Sequence, residues 1–192
     1  VPGGQSMNPS VNEIMKAIRK MPCQEIILLP NNPNIVATAK QVGILCEDKK
    51  ISVVESKTMP QGISAMLSFD SEKSAKENAV AMSEALKWVK TMSVTKAVKN
   101  AELDGLNVRK DQYIGLSEKE VRYAAASERQ CIALMADEMK NYEMITIYYG
   151  KGIDQQEAEE IAAMLTELLG NGCDIRVERG AQAVYPYIFA LE

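Results

Sequence analysis

The sequence of 192 residues contains no histidine. That absence removes the side chain that most often trades protons near neutral pH, the usual activator of a serine or cysteine nucleophile, and the commonest zinc ligand. Ser-His-Asp and Cys-His arrangements are excluded within this chain, and a zinc hydrolase would have only scattered cysteines and carboxylates to draw on. The four cysteines, Cys23, Cys46, Cys131 and Cys173, form no CxxC pair and no zinc knuckle. Their apolar neighbours read as buried free thiols, which matches a reducing cytoplasm. No P-loop, GxGxxG or Asp-rich metal motif is present. No apolar run approaches the ~20 residues that cross a bilayer, and no charged-then-apolar leader is visible, so neither membrane insertion nor secretion is expected. The net charge is −4, with basic residues scattered rather than striped. Nucleic acid and acidic membrane surfaces are therefore not the expected partners.

What the sequence does contain is one short pattern written twice. Gly3-Gly4-Gln5-Ser6-Met7-Asn8-Pro9 and Gly180-Ala181-Gln182-Ala183-Val184-Tyr185-Pro186 both read Gly-small-Gln-x-x-x-Pro. A repeated loop implies a repeated architectural unit, with the two copies doing equivalent jobs. The chain opens inside the first copy without an initiator methionine, so the expectation is a piece of a longer protein. The hydrophobic fraction of 46% is ordinary for a globular protein with a real core.

Local signals order the elements. Ser10 and Glu13 have capping-box spacing before an apolar face of Val11, Ile14, Met15 and Ile18. Glu25 to Leu29 is a continuous apolar run ended by Pro30, as in a buried parallel strand. Asn32-Pro33 starts a helix running to about Gly43, and Ile51 to Val54 is a second short strand. This is a β-α-β unit. A short helix is expected from Gln61 to about Leu67, and Ser74 with Glu77 caps another. Val94 to Val98, an Asp104-Gly105 turn and Leu106 to Arg109 read as antiparallel strands, with a further strand at Glu120 to Ala125. α/β order then resumes: Ser127 and Gln130 cap a helix, Met144 to Tyr149 is a strand, and Asp154 and Glu157 cap a helix stopped by Gly170-Asn171-Gly172. A strand with one wet face (Cys173 to Glu178) and an apolar strand through Ile188 and Phe189 close the chain. The lobe boundary is placed near residue 92, giving lobes 1–92 and 93–192. The expected fold class is α/β, with two lobes of mostly parallel sheet flanked by helices and an antiparallel insertion near the middle. The methionines, Met66 among them, read as core at helical spacing.

In an open α/β sheet, ligands gather at the carboxyl ends of the strands. Three polar loops are expected there: Gly3, Gly4, Gln5, Ser6 and Asn8; Asn31, Asn32 and Asn34; and Lys57, Thr58, Gln61 and Gly62. Each precedes a helix, and backbone amides at a helix start can hold an anion or a carbonyl oxygen. The plainer reading of the same residues is capping and turn formation. Gln5 and Gln182 fit capping poorly and point to a repeated side-chain hydrogen bond, either a structural latch or a ligand contact. Tyr185 and its neighbours are candidates for a contact surface.

Several of these strings together resemble the C-terminal region of the A subunit of fatty acid kinase, one of the dihydroxyacetone-kinase-like proteins of bacteria. They are Gly3 to Ser10, Leu29 to Ile35 and Lys57 to Gly62, continued by Asp104-Gly105, Tyr113 to Gly115, Thr146 to Gly150 and Tyr185 to Tyr187. The resemblance implies a two-lobed fold like that of DegV and the dihydroxyacetone kinase DhaK. It implies a domain without activity of its own that docks an acyl-binding DegV-type partner, whose fatty acid is phosphorylated on its carboxylate for phospholipid synthesis. No cofactor is expected in this chain; ATP and Mg²⁺ would belong to an N-terminal kinase domain of the parent, whose homodimerisation is left open. Without histidine, the covalent His–substrate bond of dihydroxyacetone kinases is excluded. The alternative is a small-molecule or anion-binding sensor module built on the polar loops.

Overall fold

The computed structural model describes residues 8–170 and 172–192. Gly3, Gly4, Gln5 and Ser6 lie outside the described residues, as does Asn171 of the predicted helix stop. The chain divides into two compact units, Val1–Val89 and Lys90–Glu192.

The first unit is built on a parallel strand pair. Its first helix, α1 (Val11–Arg19), starts at the capping box: the Ser10 hydroxyl accepts from the Glu13 amide at 3.3 Å, and the Glu13 carboxylate accepts from the Ser10 amide at 2.8 Å. Then come β1 (Glu25–Leu28), α2 (Pro33–Leu45), β2 (Lys50–Val53), α3 (Met59–Leu67) and α4 (Ala75–Ala85). β1 and β2 pair in parallel with Ile26 opposite Ile51, and α2 is the crossover between them, as the sequence predicts. Strand alternation sorts the core into two layers. Ile26 and Leu28 pack with Ile14, Ile18, Ile35 and Val42 from α1 and α2. Ile27 and Leu29 pack with Val54, Ala65 and Met82 on the side of α3 and α4.

The second unit contains β3 (Lys90–Lys96), β4 (Ala101–Leu103), β5 (Leu106–Val108), β6 (Tyr113–Ser117), β7 (Glu120–Ala125), α5 (Glu128–Met139), β8 (Met144–Tyr149), α6 (Gln155–Leu169), β9 (Asp174–Arg179) and β10 (Tyr187–Leu191). Six of these strands form one sheet in the order β7-β6-β3-β10-β8-β9. Only β8 and β9 run parallel; the other four neighbouring pairs are antiparallel. The expectation of mostly parallel sheets is therefore corrected. The physical reason is that a continuous apolar strand reports cover on both faces, not direction. β10 shows this: it is antiparallel to both neighbours, yet all five of its residues are buried. Tyr187, Phe189 and Leu191 join the core formed by Ile132, Met135 and Met139 of α5 and Ile161 and Leu165 of α6.

The antiparallel insertion also has a different composition. The Asp104-Gly105 turn joins β4 to β5, a separate ribbon, while the preceding strand is β3 and pairs with β6 and β10. β6 is a strand that the sequence pattern does not announce. The ribbon sets Leu103, Leu106 and Val108 over Ile114, Leu116 and Val121. The Asp104 carboxylate accepts from the Val121 amide at 2.7 Å, which pins the turn to β7.

One charged cluster ties α5 to three strands. The Glu138 carboxylate accepts from Lys90 on β3, from the Ser117 hydroxyl at 2.7 Å on β6 and from the Tyr123 hydroxyl at 2.8 Å on β7. Burial pushes the Glu138 carboxyl up, but these three bonds outweigh it and hold the group at about 2. Burial and the bond to Glu138 push the Tyr123 phenol up to about 12. A carboxyl held below its ordinary value stabilises the fold above that value and loses this contribution as pH falls through the folded one. Circular dichroism at graded pH is expected to show stability lost between about 4.5 and about 2. Glu138→Gln is expected to flatten part of that slope and to cost about 1–3 kcal/mol at neutral pH. An acid profile identical in the variant would contradict the assignment.

Candidate polar site at the strand ends

Because β1 and β2 run parallel with Leu28 opposite Val53, their following loops leave the sheet side by side. The Val54 amide still donates to the Leu28 carbonyl at 3.0 Å. Two residues later the ladder is replaced by side chains. Asn31 is left-handed, with φ 52°, a conformation asparagine tolerates better than most residues. Its amide N–H donates to Ser56 Oγ at 3.1 Å, and Ser56 Oγ donates in turn to Asn31 Oδ1 at 2.6 Å. Ser56 is fully buried. The Asn31 side-chain amide lies directly against Gly62 on α3, where a Cβ would overlap it. Ser56, Asn31 and Gly62 therefore interlock both loops with the first turns of α3.

The neighbouring candidates satisfy helix starts. Asn32 Oδ1 accepts from the Asn34 amide at 2.9 Å at the start of α2, with Pro33 in the first position. Thr58 Oγ1 accepts from the Gln61 amide at 3.3 Å, and Gln61 Oε1 accepts from the Lys57 amide at 2.8 Å, closing the start of α3. The structure thus brings Asn31, Asn32, Asn34, Lys57, Thr58, Gln61 and Gly62 to one end of the strand pair. Lys57 and Asn34 are exposed there. Asn8 is exposed two residues ahead of the Ser10 cap. Ser56 is the residue that motif reading misses. Its only signal is a small polar residue just beyond the apolar strand at Ile51 to Val54, where the chain is still inside the core.

Gln182 and Tyr185 belong to the second unit. The amides of Gly180 and Ala181 both donate to the Tyr149 carbonyl, at 3.0 and 3.1 Å, and Gln182 Nε2 donates to the Tyr148 carbonyl at 2.8 Å. The Gln182 carbonyl accepts from the Lys151 amide and the Pro186 carbonyl from the Gly150 amide, each at 2.7 Å. The loop is stitched onto the end of β8. Gly150 is required at the seam, since a Cβ there would strike the carbonyls of Tyr185 and Gln182. Gln182 is a latch within its own unit, and its Oε1 is buried without a hydrogen-bond partner. Tyr185 is half-buried, and burial raises its phenol above the ordinary value.

No group of three or more Cys, Asp or Glu able to hold a metal occurs among the described residues. No helix among them is long and apolar enough to cross a membrane. What the interlock does present is α3. Ile63, Met66 and Leu67 are exposed at i, i+3 and i+4, one stripe of a helix, with Phe69 exposed just beyond. Leu67 is 82% exposed and Met66 56%, so the expectation that Met66 is core does not hold. The other methionines of the core, Met82, Met92, Met135 and Met139, are fully buried.

Two kinds of substitution test the interlock and the latch. Ser56→Ala leaves Asn31 Oδ1 without this donor and is expected to cost about 1–3 kcal/mol in urea unfolding, with Gly62→Ala similar through overlap with Asn31. Gln182→Ala removes the donor to Tyr148 and is expected to cost about 1 kcal/mol. Unchanged unfolding midpoints in all three would contradict these contacts.

All 192 residues match the FakA-like C-terminal family, the C-terminal domain of proteins like the A subunit of fatty acid kinase. Protein YloV of Bacillus subtilis (strain 168) is 31% identical over 194 residues, covering 100% of this chain and 35% of that protein. A protein of Staphylococcus epidermidis is 33% identical over 196 residues, with the same coverage of 100% and 35%. The chain therefore spans about a third of the length of the curated relatives it matches. Among solved structures it is similar to the Streptococcus pneumoniae fatty acid kinase (Fak) B3 protein loaded with linoleic acid, with TM-score 0.67, 14% identity, and coverage of 96% of this chain and 76% of that one. It is also similar to the dihydroxyacetone kinase from C. freundii, with TM-score 0.63, 13% identity, and coverage of 95% and 42%. At such identities the likeness shows a shared fold. The chain belongs to the FakA-like C-terminal family of fatty acid kinase proteins.

Proposed function

We propose that this chain is the docking domain of a bacterial fatty acid kinase subunit. In this reading it grips an acyl-binding DegV-type protein, so that a kinase domain elsewhere in the parent chain can phosphorylate the fatty acid carboxylate. ATP and Mg²⁺ are held by that other domain. The observation that carries the reading is the apolar stripe of α3, Ile63, Met66 and Leu67, left in water on a helix whose start is locked. Scattered exposed apolar residues are ordinary, but three on one helical stripe with an aromatic at its end have the composition of an interface centre. Family membership names the kind of partner, since fatty acid kinase joins its A-type chain to a DegV-type chain.

The side chains at the strand ends support the same reading. Asn31, Asn32, Thr58 and Gln61 bond to backbone or to each other, so they brace α3 and α2 in place. Calorimetry of this chain with an acyl-loaded DegV-type protein is the direct test. Binding is expected, and Met66→Glu or Leu67→Glu is expected to weaken it at least about tenfold while leaving circular dichroism and thermal midpoint unchanged. No heat across salt and temperature, or equal affinity in both variants, would overturn the proposal.

A further inference from the structure

We draw no further inference here: the strongest candidate, the open cavity of about 540 Å³ between the β4–β5 turn and β7, carries nothing because its polar groups at Asp104, Glu120, Arg122 and Tyr123 already bond within the fold and nothing in the structure shows what occupies it.

Discussion

The hydroxyl of Ser56 is the hinge-pin of the first unit. It is buried, and it makes two bonds to one residue, accepting from the Asn31 amide and donating to the Asn31 side chain. A buried polar group left without a partner costs about 1–3 kcal/mol, so the pairing holds both loops to one geometry. Asn31 can then stay left-handed, its side chain can lie on Gly62, and α3 begins where Thr58 and Gln61 complete its cap. The direction in which α3 shows its apolar stripe follows from these contacts.

The second unit meets the same demand by other means. Backbone groups at the end of β8 need partners once the ladder stops. Gly180, Ala181 and Gln182 provide them, with a glutamine reaching where a backbone amide does not. The sheet itself depends on β10, the strand between β3 and β8, which joins the β7-β6-β3 half to the β8-β9 half. The Glu138 cluster then fastens α5 across β3, β6 and β7. Placing a charge there is favourable because lysine, serine and tyrosine all donate to it.

Features determined within four residues are legible in the sequence. The capping boxes at Ser10 and Glu13, Ser74 and Glu77, and Asp154 and Glu157 all form, because a cap is a contact between near neighbours. The Asn32-Pro33 start and the Ser127 cap form for the same reason. Features determined across the chain are not legible. Strand direction is set by which strands meet, so the apolar β8 and β10 mislead. β6 escapes notice because Gly115 interrupts its pattern and a bulge falls between Gly115 and Leu116. Ser56 acts on a residue 25 positions away, and nothing local marks it. Leu67 and Met66 sit at core spacing, and only the tertiary structure leaves them in water.

The polar loops and the apolar helix thus take opposite roles from those their chemistry first invites: the polar residues are spent on the fold, and the apolar ones face outward. Hydrogen–deuterium exchange of this chain, alone and with an acyl-loaded DegV-type protein, tests that division directly. The account predicts that the partner slows exchange in 63–69 and leaves 31–34 unchanged. Slowing confined to 31–34, with 63–69 unaffected, would contradict it.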